Sequence, residues 1–162
     1  MEAARRGTAV VVGDGNAVDT GLAGDEQDID IAIFAEHRNT DFSSVIGSLD
    51  NKYINHLGYG ACEKITLLAR KAFQIEVKRE QTRYVLYSFQ NGQTQYIIAG
   101  IHLPANPHSS SDDRKCVIRD IVGDITELEN KLDCHNTIVI GDFNASPFDS
   151  ELTQKDAFNA VL

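Results

Sequence analysis

The chain has 162 residues, 42% of them hydrophobic, which suits a single globular domain with a real core. Its 15 Lys and Arg stand against 24 Asp and Glu, a formal charge of −9. That balance disfavours a broad basic surface for nucleic acid, but leaves room for a local basic rim. The scattered Cys62, Cys116 and Cys134 have no zinc or disulfide-framework spacing and read as reduced, buried thiols. No apolar stretch reaches membrane-spanning length or forms a signal-peptide core, so the expected compartment is the cytoplasm.

The β-branched run Ala9–Val12 stops at the turn formers Gly13-Asp14-Gly15-Asn16 and predicts a buried strand and loop. Ile29–Phe34 repeats the pattern, with Glu36 just past its end. From Phe42 to Leu57, Val45, Ile46, Leu49 and Tyr53 recur at helical spacing, interrupted by Gly47. Ile65–Leu68 and Phe73–Val77 are short strand candidates. Arg83–Phe89 and Thr94–Ile101 flank Gln90-Asn91-Gly92-Gln93, and Asn-Gly between such runs predicts a hairpin with a type I′ turn. Apolar side chains on both faces of these strands fit a sheet covered on both sides.

His102 ends the second hairpin strand, and a polar loop runs from Pro104 to Ser111. Asp112 and Asp113 then open a helix at its positive end, with Val117, Ile121, Ile125, Leu128 and Leu132 as one apolar stripe. A strand over Thr137–Ile140 follows. With no repeat and no linker, residues 1–162 read as one domain.

That last strand runs into Gly141-Asp142-Phe143-Asn144-Ala145-Ser146-Pro147. Alternation would point Asp142 and Asn144 to one side and Phe143 into the core. A carboxylate there can accept a proton, and a carboxamide can hold a phosphoryl oxygen or an attacking water. The tetrapeptide Gly141 to Asn144 resembles the signature of the endonuclease/exonuclease/phosphatase superfamily, the deoxyribonuclease-like phosphoesterases.

The resemblance implies an α/β fold, a partial four-layer sandwich with a two-sheet β core and flanking helices. It also implies hydrolysis of a phosphate ester with Mg²⁺ or Mn²⁺, the substrate being a nucleic acid, a phospholipid or a small phosphate ester. Glu36 would then be the metal ligand, although Ala35 stands where the family often has Gln; taken alone Glu36 reads as a solvated strand-end carboxylate, and it is its place upstream of Gly141 to Asn144 that favours the ligand. His102 would face the scissile phosphate, Asp142 would activate water and Asn144 would orient it.

Asn16 would replace the family's first-motif Asn, or belong to a plain turn. Arg114 would approach phosphate, or pair with Asp112 or Asp113. His37, His56, His108 and His135 read as surface residues. The family's closing Asp-His motif is not found after Asn144. That points to the N-terminal portion of the family domain, with weak activity and self-association through an uncovered sheet. An inactive interaction module and a nucleotide-binding α/β domain whose Gly13–Asn16 turn meets phosphate are the alternatives.

Overall fold

The computed structural model describes residues 10–13, 29–36, 41–48, 52–56, 60–105, 111–146, 148–154 and 157–158. Among them the short apolar runs become strands of two four-stranded sheets. In the first, β1 (Val10–Gly13) pairs parallel with β2 (Ile31–Ala35), and β2 pairs antiparallel with β4 (Ile65–Arg70). β4 in turn pairs antiparallel with the edge strand β3 (Tyr53–His56).

The second sheet runs β5 (Glu76–Gln81), β6 (Tyr84–Asn91), β7 (Thr94–His102) and β8 (Thr137–Asp142). Its last pair is parallel, which requires a crossover, and α2 (Ser111–Leu132) supplies it. A short helix α1 (Phe42–Ser48) precedes β3, and another, α3 (Ser150–Thr153), follows β8.

Alternation sorts the side chains of these strands into three apolar layers. Ile31, Ile33, Leu67, Val85, Tyr87 and Ile98 fill the space between the sheets. Tyr84, Leu86, Ile97, Ala99 and Ile101 pack outward against Ile118, Ile121, Ile125 and Leu128 of α2. On the far side, Ala32, Phe34 and Leu68 meet Phe42 and Ile46 of α1. The result is the expected α/β arrangement: two facing sheets with helices outside. Among the described residues no helix is long and apolar enough to cross a membrane.

The hairpin pairs as expected, from Tyr84 opposite Ile101 to Asn91 opposite Thr94. Its turn differs. The two-residue loop is Gly92-Gln93, and only Gly92 has a positive φ, 63°. That is the pattern of a type II′ turn, with Gly at the first central position, rather than type I′. Arg83 lies in the preceding turn and not in the strand.

The helix expected from Phe42 to Leu57 is only seven residues long, begun by Asp41, whose Oδ1 accepts the Ser43 N–H at 3.0 Å. Tyr53 belongs to β3 instead: its hydroxyl donates to the Ile29 carbonyl at 2.7 Å, and the β4 edge offers the backbone a ladder that a weak, Gly-interrupted helix cannot match. The strand expected at Phe73–Val77 is shifted to Glu76–Gln81, where the exposed Glu76 and Lys78 keep an open sheet edge charged. Cys62 and Cys134 are buried, whereas Cys116 is exposed on α2.

His56 is a further correction, since it is half-buried rather than a surface residue, and its Nε2 has no hydrogen-bond partner among the described residues. Burial pushes its pKa below the ordinary 6.5. The fold therefore favours the neutral ring, so the associated stability is complete above the ordinary value and is lost as pH falls through the lowered one. Urea unfolding at about pH 7.5 and about pH 5 should show a smaller acid loss in His56→Leu than in the parent. Equal losses would contradict this account.

Candidate active site

Three strands from the two sheets end at one rim. β2, buried throughout, delivers Glu36, whose backbone turns into the left-handed region with φ 57° and donates its N–H to Lys64 O at 2.9 Å. β7 delivers His102, whose N–H donates to Arg83 O at 2.8 Å. β8 delivers Asp142 as the register partner of His102, and the Leu103 N–H donates to Asp142 O at 2.8 Å beyond it.

This register depends on Gly141, opposite Ile101, where φ is 146° and a Cβ would stand 1.9 Å from the Ile101 carbonyl oxygen. Only glycine lets the two backbones approach so closely.

The side chains meet. His102 Nε2 donates to Glu36 Oε1 at 2.7 Å and lies 3.9 Å from Asp142 Oδ2. One donor atom from each of the three lies within 4.8 Å of the others. The His102 side chain is only 3% exposed, while Glu36 and Asp142 are open at 54% and 37%, so the carboxylates form the wet face and the imidazole the floor. Lys64 Nζ stands 3.4 Å from Glu36 Oε1. The hydrogen bond from His102, aided by Lys64, holds the Glu36 carboxyl below its usual range.

Asn144 joins the group by a different route from strand alternation. Its backbone is left-handed, φ 46°, and folds back so that its N–H donates to Asp142 Oδ1 at 2.9 Å. Its Nδ2 donates to Asp142 Oδ2 at 3.1 Å and to Leu103 O at 2.8 Å. Both carboxylate oxygens of Asp142 are thereby oriented. Phe143 packs inward as expected, edge-on to Phe158 at 5.9 Å.

Arg114 does something other than expected. At the first turn of α2 it is 4% exposed and bonded to Glu151, itself 6% exposed, while Nη1 donates to the Asn144 carbonyl at 2.8 Å. Asp112 pairs instead with Lys115 at 3.4 Å. Arg114 thus ties the loop after Asp142 to α2 and α3, and its contacts are internal. Glu151 and Lys64 carried no sequence signal, because their partners lie 37 and 28 positions away. Asn16, with the Gly13–Asn16 turn beyond Gly13, lies outside the described residues.

The chain, two facing sheets with helices on the outside, has the fold of the endonuclease/exonuclease/phosphatase, or deoxyribonuclease I-like, superfamily. Neither a family model nor a curated protein matches its sequence. Solved structures do match in shape. TDP2 from Caenorhabditis elegans superposes with a TM-score of 0.58 at 17% identity, over 78% of this chain and 40% of that one.

The human Nocturnin catalytic domain with bound sulfate gives 0.53 at 16%, over 79% and 57%. Sphingomyelinase C from Streptomyces griseocarneus gives 0.60 at 11%, over 86% and 60%. The chain therefore spans from 40% to 60% of the length of these three.

Proposed function

We propose that the chain is a metal-dependent phosphoesterase that hydrolyses a phosphate ester at Glu36, His102 and Asp142. The observation that carries this reading is the convergence of two open carboxylates and a buried imidazole, from both sheets, on one rim. The fold shared with TDP2, Nocturnin and a sphingomyelinase supports it.

The donor set fits Mg²⁺ or Mn²⁺: Glu36 and Asp142 offer exposed carboxylate oxygens, as a hard cation that retains several waters prefers. Glu36, with Asp142 beside it, would hold such an ion, whose charge would be available to a phosphoryl oxygen and to the departing alkoxide. Asp142 takes the proton of the attacking water. Asn144 keeps the Asp142 carboxylate aimed, through its two bonds to Oδ1 and Oδ2. His102, fixed in the floor by the bond from Nε2 to Glu36 Oε1, would turn that donor to a phosphoryl oxygen as charge develops there, once the Glu36 carboxylate is taken up by the cation.

The test is hydrolysis of bis-p-nitrophenyl phosphate with Mg²⁺ or Mn²⁺. Asp142→Ala should lower the metal-dependent rate by at least about a hundredfold, the scale of removing a proton acceptor in this role. Turnover that survives Asp142→Ala, or that ignores the metal, would sink the proposal.

A further inference from the structure

Lys64 stands beside Glu36 on the first sheet and has no part in the chemistry above. The antiparallel ladder of β2 and β4 runs out with Ala35 opposite Ile65, so the next pair along is Glu36 and Lys64. Opposed residues of such a ladder have Cβ atoms about 5 Å apart, close enough for opposite charges to meet. The Glu36 N–H donates to Lys64 O at 2.9 Å, so the pairing persists through the left-handed backbone at Glu36.

The loop that carries Lys64 is itself tied down. Glu80, on β5 of the opposite sheet, accepts the Gly60 N–H at 3.2 Å and the Cys62 N–H at 2.8 Å through one carboxylate oxygen. Cys62 and Ile65, which bracket Lys64, are buried. A flexible ammonium on a fixed backbone is thereby kept at the rim. Its Nζ lies 3.4 Å from Glu36 Oε1, the same oxygen that His102 Nε2 meets at 2.7 Å. The Lys64 side chain is 26% exposed, so water screens this pair less than it would an open surface pair. A divalent ion held by Glu36 must share that carboxylate with the ammonium or displace it, and like charges in such proximity weaken binding by about tenfold.

We infer that Lys64 is the resident counter-cation of the proposed metal site, so that uptake of a divalent ion is an exchange in which the ammonium leaves the Glu36 carboxylate as the ion reaches it. The inference rests on the phosphoesterase reading. It gives Lys64 a specific task, which is to keep the ion exchangeable and to cover the Glu36 charge when no ion is there. The strength of the site for a divalent ion is thus set by a residue that is not one of its ligands.

Calorimetric titration with Mn²⁺ alone tests it, the site in question being the one that Glu36→Gln removes. Lys64→Met and Lys64→Gln should each bind Mn²⁺ at least about fivefold more tightly than the parent chain, whereas Lys64→Arg, which keeps the charge, should stay within about twofold of it. By linkage, a fixed concentration of Mn²⁺ should also raise the urea midpoint more in Lys64→Met than in the parent. Were Lys64 only a strut that holds Glu36 in place, the neutral variants would bind Mn²⁺ less tightly. Unchanged or weaker binding in either neutral variant overturns the inference alone. Absence of a Glu36-dependent Mn²⁺ site from the parent and from every Lys64 variant overturns the phosphoesterase reading beneath it.

Discussion

Gly141→Ala is expected to lower stability by at least about 4 kcal/mol or to abolish folding, a loss of the size reserved for backbone conflict. The alanine methyl would sit 1.9 Å from the Ile101 oxygen and 2.8 Å from both the carbonyl carbon and the amide nitrogen of that residue. These are main-chain atoms of the β7–β8 ladder, one pair from its end, so no side chain can rotate away to make room. β7 and β8 would have to separate where their register sets His102 beside Asp142.

Gly92→Ala provides the contrast. It adds a methyl with nothing within 4 Å, at φ 63°, and should cost only about 1–2 kcal/mol. Urea unfolding of the two variants separates clash from conformational preference. An unchanged midpoint for Gly141→Ala would disprove the close approach.

Arg114→Met is expected to cost about 3–5 kcal/mol, because it leaves Glu151 charged and nine-tenths buried without a partner. The double variant Arg114→Met with Glu151→Leu should recover most of that loss, since apolar side chains of similar volume suit the surrounding α2, α3 and Phe143 cluster. The recovered protein would still lack the bond from Arg114 Nη1 to the Asn144 carbonyl. It should therefore be nearly as stable as the parent but looser at the Asp142–Asn144 turn, with faster amide exchange at Asn144. Loss of under about 1 kcal/mol in the single variant would mean that the pair is solvated and makes little contribution.

What the sequence discloses follows the range of the interactions. The hairpin was legible because Asn-Gly and two β-rich runs are local signals, yet its turn slipped by one residue. Both faces of β6 and β7 are apolar, so pattern alone does not fix which two residues form the loop. β3 was hidden because its four residues gain their structure from pairing with β4 and from the Tyr53 bond to Ile29, 24 positions away.

Glu36, His102 and Asp142 could be picked out as strand-end residues because each ends or follows an apolar run, buried in β2 and β7 and half-buried in β8. That Asn144 would reach Asp142 by a left-handed turn, and that Arg114 would be spent on Glu151 rather than on solvent, depends on contacts between α2, α3 and the end of β8. Arg83 was one of several basic residues available for a local rim, and its place beside His102 is legible only once the hairpin sets the two across from each other.

The left-handed backbone at Glu36 has a consequence for how this protein can change over time. Asparagine tolerates such a conformation, as Asn144 does, but a glutamate held at φ 57° is strained by about 1–3 kcal/mol. A glycine at position 36 would relieve the main chain and would also erase the carboxylate. Under the proposed function, durability and chemistry thus pull this residue in opposite directions. A descendant released from that proposed task would have, at this one codon, a direct route to a sturdier version of the same sandwich without the carboxylate.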